Sequence, residues 1–567
     1  MRATAVLLSL AAFLPALANA SSPSDLRKTA TEYYRWKDEA YPVASSDAGL
    51  HTWDERLTDF SEPAYRARRE HVEKVLASVR AMDTKDWSKD DRIDWYLFRA
   101  QLEGAAFSGR VLQREETDPQ IYVNECSNAI FSILKKEYAP DHDRAIAITT
   151  RMEKMPALIE QGKKNLKRPI GLYARFASES ARSIDPMLGE SVTPLAKSLS
   201  SAETKRLDDA RSKALASLHG FADWLDARRK EMVEFKAMGE ESYNYLLHNV
   251  YLLPFDARDV ATLGENELAR YRAMESWLAD PKLANPDPHR LSRMPADQAE
   301  YLKAYEGRQA EMIRFLKDKQ LVTLPDYLGP FYIRPLPDAF KPTSPGGFMN
   351  APGIYDKDPS GFFFISTYDP KSPNFYIRAA IEEPRPILGH EGIPGHFLQI
   401  TIANHLTNEI RRHHDDGVFV EGWALYGEEM LARTGLYPDG SAGQGQVLRL
   451  SRYRSARIGT DVNLHTGTWT FEQGVRYFME AGGLDRVAAE GETAGAASEP
   501  SQKITYIVGK WQIERLLGKY RDAKGDAFRL GKFHDDLLAN GSLPLSIVEW
   551  ILLDDPSTLE KATRSSR

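Results

Sequence analysis

The sequence predicts a mainly α-helical protein with one small β-sheet, and three observations carry that expectation. From Ser24 to about Trp277 apolar residues recur at threes and fours, the period of helices with one buried face. At about Val322 the texture changes. A stretch crowded with Pro and Gly, Leu324 to Gly353, leads into SGFFFISTY, Ser360 to Tyr368, which is short, apolar and aromatic-rich and reads as a strand. Helical spacing resumes near Pro386 and continues to the C-terminus. Hydrophobic residues make up 42% and charged residues 27% of the 567, a normal globular balance with ample material for a deep core.

The first twenty residues, MRATAVLLSLAAFLPALANA, have the composition of an export signal. Arg2 supplies the positive start, Val6 to Leu17 the apolar run, and Ala18-Asn19-Ala20 the small-residue cleavage site. The run is too short to span a bilayer, and Ser21-Ser22-Pro23-Ser24 follows without a stop-transfer pattern. No cysteine lies near the cut to carry a lipid anchor. The expectation is a protein cut after Ala20 and released to the periplasm or beyond, with no membrane span. Loss of Arg2 takes the formal charge from -7 to -8, a mild acidity that gives no support for nucleic-acid binding. Cys126 is the only cysteine, so no intrachain disulfide can form. It lacks a nearby His or basic context and is assigned no nucleophilic role.

The mature chain reads as one domain, 21–567, mostly helical over 21–321 and carrying its chemistry in 322–567. In Ala202 to Met232, Leu207, Ala210, Ala214, Leu218, Phe221 and Leu225 form one apolar face. Asp143 to Leu166 is a second such helix, and Pro169, Pro186 and Pro254 mark joints between segments. AAEGETAGAASEP, Ala488 to Pro500, has few groups to bury and is expected to be a surface loop.

The segment LGHEGIPGHFLQI, Leu388 to Ile400, is close to the H-E-x-x-H zinc signature but sets His390 and His396 six apart. In an unbroken helix they would diverge by about 120° and could not share an ion. Pro394 forbids that helix, since its ring clashes with the His390 carbonyl four residues back, and Gly395 tolerates dihedrals that other residues avoid. A bulge over Gly392 to Gly395 would return His396 to the metal. FVEGWALYGEEM, Phe419 to Met430, follows by about one helix and a loop, and its Glu421 lies 25 residues after His396. In proteases of the glutamate-zincin type, a helix with H-E and a later helix with a glutamate supply His, His and Glu and leave a fourth position for water. On that pattern His390, His396 and Glu421 hold Zn2+, and Glu391 is the base that moves a proton from water to the leaving amine.

These motifs resemble those of the secreted bacterial family catalogued as domain of unknown function 885, whose members share H-E-G-x-P-G-H, E-G-W-A-x-Y and x-Y-x-x-G. Here they stand as HEGIPGH (His390 to His396), EGWALY (Glu421 to Tyr426) and TYIVG (Thr505 to Gly509), with NLHTGTW (Asn463 to Trp469) where the family carries a histidine before a Trp-containing turn. The resemblance covers nearly all of the mature chain, with its sharp motifs in the last third. It implies a glutamate-type zincin metallopeptidase: a large helical body around a deep channel, with peptidase activity. Tyr506 and His465, which sit in the resembling motifs, are candidate donors to a developing oxyanion.

Other residues are weighed against a plainer role. Glu428, seven after Glu421 and so on the same helical face, is a candidate to orient a ligand histidine, or a surface glutamate. Lys510 and Arg457 are candidates to hold a substrate carboxylate, or solvated charges. SGFFFISTY is read as an edge strand able to pair with an extended peptide, or a core strand. His413 and His414 point about 100° apart on a helix and are expected at the surface. His405 has no chelating partner. The reading is an exported zinc-dependent peptidase acting on short peptides. A zinc-dependent hydrolase of a non-peptide amide or ester, and a non-catalytic periplasmic protein that binds metal or peptide, are the alternatives.

Overall fold

The computed structural model describes residues 22–283, 285, 293–337, 340, 346–371, 377, 381 and 383–565. The signal-like residues 1–20 lie outside the described residues. The main helices of the first part are α1 (Gln120–Leu134), α2 (Asp141–Asn165), α3 (Ser201–Arg228), α4 (Ala257–Leu278) and α5 (Gln298–Asp318). All six residues of the apolar face predicted on α3 are buried. Its start is fixed by a capping box, in which Ser200 accepts from the Glu203 amide and Glu203 returns a bond to the Ser200 amide. No described helix is long and apolar enough to cross a membrane.

The Pro- and Gly-rich region yields three short strands, β1 (Phe331–Pro335), β2 (Gly347–Asn350) and β3 (Gly361–Ile365), ordered β1-β3-β2. β3 runs parallel to β1 and antiparallel to β2. This corrects the expectation for SGFFFISTY: both edges of β3 are already paired, so it is the central strand and offers no free edge to a peptide. Alternation along β3 divides its side chains between two cores. Phe363 and Ile365 join Phe331, Ile333, Phe397 and Trp423 on one side. Phe364 joins Leu336 and residues of α1, α2 and α3 on the other.

Helices then dominate: α6 (Arg385–Glu391), α7 (His396–Asn404), α8 (Gly417–Arg433), α9 (Ala442–Thr466), α10 (Arg486–Ser498) and α11 (Thr505–Lys524). α10 corrects a second expectation. AAEGETAGAASEP is not a loop over most of its length, because alanine is the best helix former and small side chains pack closely. Ala488, Ala489, Ala494, Ala496 and Ala497 are all buried.

Candidate metal centre

The segment between the two histidines breaks the helix completely, a stronger departure than the expected bulge. α6 stops at Glu391, Gly392 leaves helical geometry at φ -103°, ψ -112°, the Ile393–Pro394 peptide is cis, and α7 begins at His396. A side chain on Gly395 would overlap the His390 and Gly389 carbonyl oxygens, so only glycine lets the chain return this closely. Two contacts pin the turn. The Trp423 indole N–H donates to the Pro394 carbonyl at 2.8 Å, and the Phe331 ring of β1 occupies the space where Gly392 lacks a Cβ. The sheet thus rests directly on the turn. The result sets the two imidazoles edge to face, with ring centroids 4.6 Å apart.

α8 brings the third group. Asp416 caps it by accepting from the Phe419 amide at 2.7 Å. Gly422 and Gly509 then let α8 and α11 meet backbone to backbone, since a Cβ on Gly422 would lie 2.5 Å from Gly509. That close approach, between the residue after Glu421 and the residue three after Tyr506, is the physical content of the EGW and TYIVG motifs. Glu421 Oε2 lies 3.4 Å from His390 Nε2 and 3.3 Å from His396 Nε2. It is buried with no hydrogen-bond partner, and the three donor atoms all lie within 4.8 Å of one another. Ligands about 2.05 Å from an ion at tetrahedral angles stand about 3.3 Å apart, so both imidazole–carboxylate separations have the length of a zinc tetrahedron's edge.

Glu428 stands against the other ring nitrogen. Its wholly buried Oε1 is 2.8 Å from His390 Nδ1 and 2.9 Å from Arg454 Nη2. A carboxylate at Nδ1 keeps that nitrogen protonated and frees Nε2 to face Glu421. Burial and Arg454 push the His390 pKa down, but Glu421 and Glu428 outweigh them and lift it to about 9. Burial would lift Glu421, but the two imidazoles hold it well below the carboxylate range. The field that favours a proton here favours any cation. Tyr506 stacks on His390 at 6.1 Å between centroids and accepts from Gln502 Nε2 at 3.3 Å. Burial and the neighbouring Glu421 push its pKa up, so its hydroxyl keeps its proton. Glu391, next to His390, is half-buried and has no hydrogen bond or ion pair among the described residues.

The other predicted residues fall elsewhere. His465 is not brought to the triad: it lies eleven residues beyond Arg454 on α9, roughly 16 Å of helix rise away. Its Nε2 is 2.8 Å from the Ala496 carbonyl, and its ring packs by Phe235 and Tyr243. Lys510 is neither solvated nor open to a substrate. It is fully buried, with Nζ 2.7 Å from both Glu429 Oε2 and Tyr271 Oη. Arg457 is buried too, bonded to both oxygens of Glu492 at 3.1 Å and lying over the Tyr506 ring at 4.7 Å. His414, expected at the surface, is buried against Gln101 at 3.1 Å, while His413 stacks on Tyr34. His405 stacks on Tyr327, and Cys126 is a buried free thiol. Sequence reasoning missed Arg454. The signal was available in part: Arg454, Arg457, Asp461 and His465 recur at threes and fours along α9, the spacing of one helical face.

A family model described as "Bacterial protein of unknown function (DUF885)" matches residues 42–552. Two solved structures share the fold. One is described as a "putative lipoprotein of unknown function" from Shewanella oneidensis, with a TM-score of 0.72 at 21% identity, covering 94% of this chain and 100% of that one. The other is described as the "putative lipoprotein" from Colwellia psychrerythraea, with a TM-score of 0.74 at 17% identity, covering 94% and 98%. A search of curated proteins returns no match.

Proposed function

The chain belongs to the bacterial family of unknown function DUF885, and we propose that it is an exported zinc-dependent peptidase of the glutamate-zincin kind, acting on short peptides in a channel of its helical body. One observation carries the reading: His390, His396 and Glu421 aim three donor atoms at a single point, with imidazole–carboxylate spacings of 3.4 and 3.3 Å. The export signal composition of residues 1–20 and the lipoprotein descriptions of the two structural neighbours support export.

The donor set fits zinc: two imidazole nitrogens and one carboxylate, whose buried Oε2 has no hydrogen-bond partner among the described residues. When bound, zinc supplies Lewis acidity, making water a nucleophile near neutral pH and polarising a carbonyl. The rest falls to side chains. Glu391, with no competing partner among the described residues, takes a proton from the attacking water as the water oxygen bonds to the scissile carbonyl carbon. It returns that proton to the amine as the C–N bond breaks. The protonated Tyr506 hydroxyl donates to the oxyanion. Glu428 and Arg454 hold His390 in the tautomer that leaves Nε2 unprotonated. A base beside the ligands favours an enzyme over a metal store, which has no use for one.

Glu391→Gln tests this. Loss of a general base costs roughly 10²- to 10⁴-fold in turnover, and metal analysis should still find one zinc per chain. Full peptide cleavage by the zinc-loaded variant would remove Glu391 from the mechanism.

A further inference from the structure

A cavity of about 760 Å³ is walled by α10, by α1 and by the helix Gly171–Arg182. Ile121, Tyr173, Phe176 and Val487 give it an apolar side, and Gln502 and Lys503 close it just before α11. Two of the cations lining it are answered. Arg114 pairs with Glu499 at 2.9 Å, and Arg486 pairs with Glu472 and Glu490. Lys503 is different. Its side chain is only 14% exposed, and its nearest carboxylate oxygen, Glu492 Oε2, is 3.6 Å away. That carboxylate already receives Arg457 on both oxygens. No described residue hydrogen-bonds the Lys503 ammonium. An ammonium this little exposed, with only a shared carboxylate at 3.6 Å, is incompletely paired.

One wall residue of the cavity reaches toward the proposed metal site. Gln502, in its wall, donates to the Tyr506 hydroxyl, and Tyr506 stacks on His390. Lys503 lies close enough to Glu421 for the two charges to influence each other. We propose that this cavity receives the C-terminal end of a peptide, with Lys503 pairing the terminal carboxylate and the apolar wall taking the last side chains. The inference rests on the peptidase reading and gives it a substrate class: peptides with a free C-terminus, cut near that end. The lining carboxylates are engaged, Asp118 and Glu499 by Arg114, Glu492 by Arg457 and Asp485 by the Ala488 amide, which leaves Lys503 as the lining cation placed to pair a terminal carboxylate beside the apolar wall.

The test begins with binding, which needs no turnover. The mature chain carrying Glu391→Gln is incubated with three pentapeptide pools, and retained peptides are quantified by mass spectrometry. One pool has free C-termini and no acidic residues, the second is the same pool amidated, and the third is amidated with glutamate last. The free pool should bind roughly tenfold or more tighter than either amidated pool. Adding Lys503→Met should erase that difference, and Lys503→Arg should restore most of it. An unchanged melting temperature would show that the methionine variant is folded. Equal retention of free and amidated pools, retention of none, or retention of the glutamate pool at the level of the free pool would overturn the proposal. In the cleavage assay, Lys503→Met should raise KM for the free pool about tenfold with a smaller effect on kcat. A zinc-loaded wild-type chain that binds the free pool through Lys503 but cuts nothing would overturn the peptidase reading and leave the carboxylate site standing.

Discussion

At the scale of single residues the site depends on what is missing as much as on what is present. Gly395 has no room for even a methyl group, because one would overlap the carbonyl oxygens of His390 and Gly389. Gly395→Ala must therefore push the turn open and swing His396 away from Glu421. Forcing extra volume into a filled space costs typically about 1–3 kcal/mol. The expected outcome is a lower melting temperature together with loss of bound zinc by metal analysis. A variant that keeps stoichiometric zinc would show that the turn can relax without moving the ligand. Much of this was legible in the sequence, because the conformational constraint lies in the motif: Pro394 and Gly395 sit between the histidines and forbid an unbroken helix. Glu428 was legible for the same local reason, its helical spacing from Glu421. Arg454 was not, since it reaches Glu428 across 26 residues and a chain reversal. His465 was a candidate only through a resembling motif, and its place along α9 separates it from His390, His396 and Glu421.

At the scale of elements, the site is made by pairs of helices locked at one point. α8 and α11 touch through Gly422 and Gly509, and a buried cluster holds them there: Lys510, next to Gly509 on α11, meets Glu429, about two turns beyond Gly422 on α8, and Tyr271 of α4, each at 2.7 Å. Burial alone would lift the Glu429 carboxyl. Lys510, Arg433 and Arg270 overcome it and hold the pKa at about 2 against an ordinary 4.5. A depressed acid contributes stability that is complete above its unfolded value and lost as pH falls through its folded one. Wild type should therefore lose about 3 kcal/mol of stability between pH 4.5 and 2 through this group. Glu429→Gln should lack that component, and at pH 7 it should start about 3–5 kcal/mol lower, because it leaves Lys510 buried without its main partner. Urea titrations across this pH range would check both, and equal stability of the two chains at pH 7 would refute the lock. Elements with a strong period were readable from sequence, α3 most clearly. α10 was misread because alanine carries little hydrophobic signal, although it packs as well as larger residues where helices approach closely. β3 was read as a strand, but its position in the sheet depends on β1 and β2, which are hidden in a Pro- and Gly-rich stretch without a period of their own.

At the scale of the whole molecule, the first 321 residues and the remainder share their interior. One core contains Leu26, Phe98, Tyr243 and Tyr271 together with Trp423, Tyr506 and Val548. The second, built mostly from α1, α2 and α3, is completed by Leu336 and Phe364 from the sheet region. The sheet that braces the metal turn is therefore itself sandwiched between two helical cores. All three proposed metal ligands, Glu391 and Tyr506 lie after residue 321, so chemistry alone would allow a fragment of 322–567 to hold zinc. Packing argues otherwise. Without the first part, Tyr271 no longer meets Lys510 and Glu429, α9 loses its partner α4, and one face of β3 is exposed to water. The fragment expressed alone should show helical circular dichroism without a cooperative thermal transition, and equilibrium dialysis should find no stoichiometric zinc. The intact mature chain should bind one zinc and melt at a higher temperature with it, since a ligand at 100 times its dissociation constant adds about 2.7 kcal/mol. A fragment that melts cooperatively and carries zinc would show that the metal site folds on its own. The larger helical body would then serve substrate selection alone.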